Sequence, residues 1–182
     1  MWWNWLVMNL KTALALIRDI PDYPKPGILF KDITPLLANG GAFQVVIEAF
    51  SAEIKDSEIV AGIEARGFIF AAAIAAQTNR GFVPFRKSGK LPYQTYGAKY
   101  GLEYGEDEIE VHIDSFEGAK TVTIVDDVLA TGGTIAAAIE LAIRAGAKIE
   151  SVLVLFEISA LGGRDFLKQK YPDIEIRSLV SS

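Results

Sequence analysis

The chain has 182 residues, 51% hydrophobic and 23% charged, a length and balance that suit one folded domain with a sizeable core and exclude intrinsic disorder. Its formal net charge of −5 argues against nonspecific nucleic-acid binding. With no cysteine, thiol catalysis, disulfides and Cys-ligated zinc are excluded, and a single histidine, His112, gives His triads and multi-His metal sites little support.

Residues 1–7, M-W-W-N-W-L-V, hold all three tryptophans and no charge. They lack the basic start, longer apolar core and small-residue cleavage site of a signal peptide. Lys11 and Arg18 interrupt any stretch long enough to cross a bilayer. The expectation is that Met8 is the natural start and that residues 1–7 are a non-native or extra N-terminal extension, with a tryptophan-rich interface tag as the alternative. Residues 10–17 put apolar positions on one face of a short helix. Over 20–33, I-P-D-Y-P-K-P-G-I-L-F-K-D-I, three prolines and a glycine exclude regular structure from 21 to 27 and stiffen the segment. A rigid loop with Tyr23, Phe30 and Lys31 suits a planar ring, which Phe30 can stack on while neighbouring backbone groups read its edge. The plain alternative is a lead-in across a sheet edge, with Phe30 in the core.

Residues 42–54 read as an amphipathic helix opened by Gly40 and Gly41, and 59–63 as a buried strand. Glu64-Ala65-Arg66-Gly67 follows, then an Ala-rich helix over 68–77. Arg66 at that strand end can clamp a pyrophosphate with charge-assisted bonds. A solvated Arg is the alternative, although a helix start is electrostatically a poor place for a cation. Residues 81–86 read as a third parallel strand, running into F-R-K-S-G-K-L-P-Y. Arg86, Lys87 and Lys90 there form the densest cationic cluster of an acidic chain, the counter-charge a pyrophosphate leaving group needs. Residues 92–108, rich in Tyr and Gly, suit a mobile hairpin able to close as a lid. In E-I-E-V-H-I-D, 108–114, alternation puts His112 on the polar face of a half-exposed strand, away from catalysis.

Residues 121–134, T-V-T-I-V-D-D-V-L-A-T-G-G-T, organise the rest. The β-branched run 121–125 suits a strand buried on both faces of a parallel sheet, with Asp126 and Asp127 where it should end. The turn 130–134 leads into a helix over 135–144, and ligands of open α/β sheets bind at such carboxyl ends. Ala130, Thr131, Gly132, Gly133 and Thr134 offer backbone N–H groups, close approach and two hydroxyls at a helix start, which together make a phosphate cradle. Without the lysine of a nucleoside-triphosphate loop, the cradle suits one terminal monophosphate. The two carboxylates suit a vicinal diol, so the segment implies a ribose 5-phosphate. An ordinary βα turn with acidic capping residues is the alternative. Beyond it, Gly146 can cap the helix, and 149–156 reads as a strand. A loop over 159–163 and a short helix over 164–170 follow, and 174–179 alternates as an edge strand. No repeat, low-complexity tract or linker splits the domain.

Residues 121–134 resemble the phosphoribosyl-pyrophosphate signature of the type I phosphoribosyltransferases. P-D-Y-P-K-P-G-I-L-F-K-D-I, 21–33, resembles the adenine-binding segment of the adenine phosphoribosyltransferase family. I-E-A-R-G-F, 63–68, resembles its pyrophosphate loop, which often contains a non-proline cis peptide. G-L-E-Y-G, 101–105, resembles its catalytic-loop S-L-E-Y-G with Gly for Ser, and Leu161-Gly162-Gly163-Arg164 its S-L-x-G-R element, to which no catalytic role is given.

The resemblance implies an α/β fold: a parallel-centred sheet flanked by helices, in one domain over 8–182, with a small hood mainly from about residues 20–37. It implies transfer of the phosphoribosyl group from phosphoribosyl pyrophosphate to adenine, giving AMP and pyrophosphate in purine salvage. Leu29 would read the adenine edge through its backbone, Phe30 would stack, and Lys31 would lie nearby, without the planar fork of the Arg many members carry. Ala130 to Thr134 would hold the 5-phosphate and Asp126 and Asp127 the ribose diol. Arg66, Arg86, Lys87 and Lys90 would meet pyrophosphate. Glu103 would handle a proton or orient the base, and Tyr104 would help close the site. Mg²⁺ would be carried mainly by substrate, with no direct protein ligands assigned. A cytoplasmic homodimer with no nucleic-acid or membrane partner completes the expectation. The alternatives are a sister enzyme for guanine or xanthine, opposed by the 21–33 and 101–105 segments, and a noncatalytic regulator, opposed by the retained Glu103 and the acidic charge.

Overall fold

The computed structural model describes residues 8–102, 105–118 and 120–181, which fall into two units divided between residues 52 and 53. The first unit opens with α1 (Leu10–Leu14), capped by Asn9, whose Oδ1 accepts the Thr12 N–H at 2.9 Å. The helix is shorter than the apolar spacing predicts because the next residues are drawn into a hairpin. β1 (Arg18–Pro21) pairs antiparallel with β2 (Leu29–Asp32). Pro21 thus ends a strand rather than beginning an irregular stretch, an edge position where its missing N–H costs no ladder bond. The turn between them is closed by a local bond: Asp22 sits at φ 57° and its Oδ1 accepts the Gly27 N–H at 2.7 Å. α2 (Thr34–Ala38) and α3 (Gly40–Glu53) follow. Asn39 accepts the Ala42 N–H at 3.0 Å, so α3 takes in both glycines instead of starting after them.

The second unit is built on one sheet. Its strands are β3 (Ile59–Ile63), β4 (Gly81–Lys87), β5 (Thr95–Leu102), β6 (Gly105–His112), β7 (Thr121–Leu129), β8 (Lys148–Glu157) and β9 (Glu175–Ser181), in the order β5-β6-β4-β3-β7-β8-β9. The apolar runs β4, β3, β7, β8 and β9 are mutually parallel, and the β5–β6 hairpin adds antiparallel at the β4 side. β9 is an edge strand, as its alternation predicts. β3 is buried along its whole length, which is the position a continuous apolar run requires.

The crossover helices are α4 (Arg66–Thr78) and α5 (Gly133–Arg144). A 3-10 turn (Ser159–Leu161) and α6 (Gly163–Lys170) join β8 to β9. The result is a mostly parallel sheet flanked by helices. One polar stripe runs through its core: Thr123 is fully buried, with its hydroxyl 2.7 Å from that of Ser57 and 2.9 Å from that of Ser151. Each of these groups finds a partner, so the stripe carries no orphaned polar atom.

Candidate active site

The connection β3–α4–β4 leads one way along the sheet and β7–α5–β8 the other, so the strand order reverses between β3 and β7. Right-handed crossovers then place the two helices on opposite faces and open a crevice at the carboxyl ends of these two strands. The residues predicted for the ribose-phosphate site and Arg66 all border that point.

The strand carrying the two carboxylates runs farther than the β-branched run predicts. Asp126 and Asp127 lie inside β7, because pairing with β8 continues to Leu129↔Glu157 while pairing with β3 stops at Val125. Both are buried, at 8% and 6% exposure, and the Asp127 N–H donates to Asp126 Oδ1 at 2.8 Å. Burial, with the adjacent Asp127 charge second, pushes the Asp126 carboxyl well above the usual carboxylate range. Burial also raises Asp127, and the attraction of Arg66 does not fully offset it. Arg66 opens α4, and its guanidinium lies 2.7 Å from Asp127 Oδ2. The Glu64–Ala65 peptide just before it is cis, in line with the resemblance. Gly67 lets α4 come this close: a Cβ there would lie 2.7 Å from the Val125 carbonyl oxygen and 3.0 Å from Asp126 Oδ1.

The cradle lies one turn on. Gly132 takes φ 84°, a left-handed conformation that turns the chain into α5 and that side-chain-bearing residues avoid. The first N–H groups of α5, from Gly133 onward, have no partner within the helix and face its start, and the Thr131 hydroxyl oxygen lies 3.9 Å from where a Gly133 Cβ would stand. From behind, α6 supports the turn, with the Gly163 carbonyl oxygen 3.0 Å from where a Gly132 Cβ would stand.

The cationic cluster differs from its sequence reading, because two of its three charges are already engaged. Arg86 Nε lies 3.2 Å from Glu64 Oε2, the same oxygen that accepts the Lys87 N–H at 2.8 Å. Lys87 Nζ pairs with Asp107 at 2.9 Å, and Lys90 sits exposed on the following loop. Burial pushes the Glu64 carboxyl up, but its bonds from Lys87 and Arg86 outweigh this and hold it below the usual range. The Lys87 bond is the main reason Asp107 is held low as well. The sequence reading counted the cations and left out Glu64 and Asp107.

Three further residues belong to this constellation without a role read from the sequence: Glu64, Asp107 and Tyr100. Tyr100 stands opposite Asp107 in the β5–β6 register, and burial, with the Asp107 charge second, pushes its phenol up to about 12. The register that starts at Leu102↔Gly105 fixes that pairing, so an explicit register would have found it. His112 pairs with Thr95 at the far end of the hairpin and joins none of these groups. Glu103 and Tyr104 lie outside the described residues.

In the first unit, Leu29, Phe30 and Lys31 all fall on β2. Leu29 is exposed, at 47%, and the Phe30 ring meets Tyr23 edge-on with centroids 5.2 Å apart. Lys31 Nζ is engaged with Asp19 at 2.7 Å. Among the described residues, no three His, Cys, Asp or Glu side chains gather as a metal cage, and no helix is long and apolar enough to cross a membrane.

Comparison with known proteins agrees with this geometry. The phosphoribosyl transferase domain family matches residues 33–180. An adenine phosphoribosyltransferase of Acidothermus cellulolyticus is 54% identical over 168 residues, covering 91% of this chain and 93% of its own length. The crystal structure of adenine phosphoribosyltransferase from Thermoanaerobacter pseudethanolicus, 45% identical, superposes with a TM-score of 0.87 over 96% of this chain and 100% of that one. The APRTase of Giardia lamblia, solved in complex with 9-deazaadenine, is 40% identical with a TM-score of 0.89, covering 96% and 98%.

Proposed function

The chain belongs to the phosphoribosyl transferase domain family, and from that premise we propose how its own residues carry out the reaction. It is an adenine phosphoribosyltransferase, a purine salvage enzyme that joins adenine to the phosphoribosyl group of phosphoribosyl pyrophosphate and releases AMP and pyrophosphate. The observation that carries the residue assignments is the buried Asp126–Asp127 pair directly before a glycine turn at a helix start, at the reversal of strand order.

Residues Ala130 to Thr134 bind the 5-phosphate through helix-start N–H groups and hydroxyls. Asp126 and Asp127 take the ribose 2- and 3-hydroxyls as hydrogen-bond donors, which replaces mutual repulsion by solvation of both carboxylates. As the diol engages Asp127, Arg66 turns from that carboxylate to the pyrophosphate. Lys87 and Lys90, with Arg86, add counter-charge as the bond from C1 to pyrophosphate oxygen breaks and C1 gains cationic character. Adenine N9 forms the new bond to C1. Its ring stacks on Phe30, its edge is read by the Leu29 backbone and Lys31 lies beside it, while Glu103 takes or relays the N9 proton under a lid that includes Tyr104. Mg²⁺ arriving with the substrate would supply further charge neutralisation, and the hard carboxylate oxygens of Asp126 and Asp127 would suit it. The same reading expects a cytoplasmic homodimer.

The test is AMP formation from phosphoribosyl pyrophosphate and Mg²⁺, with adenine, guanine, hypoxanthine and xanthine in parallel. A strong preference for adenine is the expected result. Turnover only with another base would overturn the Leu29–Phe30–Lys31 assignment, and tight ligand binding without turnover would overturn the enzyme.

A further inference from the structure

The segment Leu161-Gly162-Gly163-Arg164, which received no role from the sequence, lies directly behind the cradle, where Gly163 opens α6. Gly163 is buried, and a Cβ on it would overlap the Ala130 carbonyl oxygen while standing 2.9 Å from Leu129 Cδ1 and 3.0 Å from the Ala130 carbonyl carbon. The fit is reciprocal. Where a Gly132 Cβ would stand, the Gly163 carbonyl oxygen lies at 3.0 Å, Phe166 Cδ1 at 3.1 Å and Leu167 Cγ at 3.2 Å. Two glycines, one on each element, thus bring the start of α6 against the backbone of the turn. Both sides of this contact are anchored. The Leu129 carbonyl, just before the turn, accepts the Ile158 N–H at 2.9 Å. On the α6 side, Arg164 Nη1 donates to the Ile176 carbonyl at 2.7 Å and Nε to Glu157 Oε1 at 2.8 Å. Just past α6, the Tyr171 hydroxyl donates to the Ala136 carbonyl at 3.3 Å, so the connection from β8 to β9 holds α5 as well as the turn that leads into it.

We propose that Gly163 is a positioning residue for the 5-phosphate: its bare Cα lets α6 back the turn 130–132 and hold the cradle backbone in its binding geometry. This rests on the reading of Ala130 to Thr134 as the 5-phosphate site. The cradle's donors are chiefly backbone N–H groups, and no rotamer can correct their direction. The path of the main chain alone sets it. A helix tied to both β8 and β9 stiffens that path from behind, so the donors are aimed before the phosphate arrives and need no reorganisation when it binds. Such donors must stay within about 0.5 Å of their working positions. The overlap that a methyl group at 163 would create exceeds this, and packed backbone does not absorb it. With α6 held through Arg164 and the end of β7 held through Leu129, the part that yields is the turn carrying the cradle.

The experiment compares Gly163→Ala, Phe166→Ala and Arg164→Met with the double variant Thr131→Ala/Thr134→Ala, which trims the cradle itself. It reads the dissociation constant of ribose 5-phosphate by calorimetry, together with KM for phosphoribosyl pyrophosphate, KM for adenine and kcat, in variants shown to be folded by circular dichroism. Gly163→Ala is expected to weaken ribose 5-phosphate binding and raise KM for phosphoribosyl pyrophosphate roughly tenfold, the scale of one charged hydrogen bond lost. KM for adenine should not move. Phe166→Ala opens space behind Gly132 and removes a ring that is 43% exposed, so it folds even where Gly163→Ala does not. It should weaken ribose 5-phosphate binding in the same direction by a smaller factor. Arg164→Met loosens α6 without placing an atom against Ala130 and should keep wild-type affinity. If Arg164→Met weakens binding as much as Gly163→Ala, the effect is general loosening of α6 and the proposal is overturned. A folded Gly163→Ala with wild-type affinity overturns it too, as does wild-type affinity in Phe166→Ala where Gly163→Ala cannot be made. If the threonine double variant weakens binding while Gly163→Ala and Phe166→Ala do not, the cradle stands and the positioning role falls. If none of these variants changes phosphate binding, the cradle reading falls with it.

Discussion

Two neighbouring strands of the sheet each end in a buried carboxylate site, and the two sites have opposite electrostatics. β7 carries Asp126 and Asp127, and β8 carries Glu157, at 5% exposure, level with Leu129 just beyond them. Glu157 has its partner built in: Arg164 Nε bonds Glu157 Oε1 at 2.8 Å, and the Ser178 hydroxyl donates to Oε2 at 3.0 Å. Those bonds, with the Arg164 contact foremost, hold its carboxyl below the usual range. Asp126 is pushed the other way by burial and by Asp127. Burial alone therefore does not mark a functional carboxylate. The mark is burial without enough internal donors, at a strand end where a ligand can supply them.

Changing one residue on each side tests the contrast. Asp127→Asn removes a carboxylate that the diol needs, and kcat/KM for phosphoribosyl pyrophosphate is expected to fall on the order of a hundredfold, a scale set by losing one charged contact in a water-excluded site. Its Tm should not drop, because the charge it deletes is already poorly solvated. Full activity in this variant would remove the diol assignment. On the other side, Arg164→Met keeps the packed stem and removes the charged donor that Arg164 brings to the buried Glu157. A loss of about 3 kcal/mol is expected, which for a chain this long lowers Tm by roughly 6–12 °C. Its kcat/KM, measured where it is folded, should match wild type. If the stability loss appeared in Asp127→Asn and the activity loss in Arg164→Met, the comparison would be the wrong way round.

The sequence carried one half of this contrast more clearly than the other. Strand positions, the switch from β to α periodicity and the T-G-G-T turn follow from local chemistry, so β3, α5 and the glycine turn before α5 were legible within a residue or two. Asp126 and Asp127 were legible as a pair because two adjacent charges directly follow a β-branched, apolar run. Their position inside β7 was not, since it depends on how far β8 keeps pairing, which no residue of β7 encodes. The engagement of Arg86 by Glu64 and of Lys87 by Asp107 was hidden for a similar reason. The partners lie 22 and 20 residues away in sequence and meet only through the sheet. Residues 21–27 were read as irregular because proline counts against a strand, yet Pro21 occupies a strand end.

The smallest expected effect concerns pH, and its sign separates the two carboxylate sites. The Asp126 carboxyl is raised on folding, so over the range from the usual carboxylate value up to its own, the native chain holds more protons than the unfolded one. Stability from this group is full at low pH and is lost as pH rises through the folded value. Glu157 is lowered, so its stability is present above the usual carboxylate value and is lost as pH falls through the folded one. Asp126→Asn should therefore stabilise the protein by about 1–2 kcal/mol at pH 8, with the gain shrinking towards pH 4. Glu157→Gln should cost most at pH 8, with its deficit shrinking as pH falls below the usual carboxylate value. The two Tm-difference curves, measured by thermal unfolding from pH 3.5 to 8.5, should diverge as pH rises. Parallel curves would mean that Asp126 has donors enough beyond the Asp127 N–H, and a ribose diol would then have to displace one rather than complete the site.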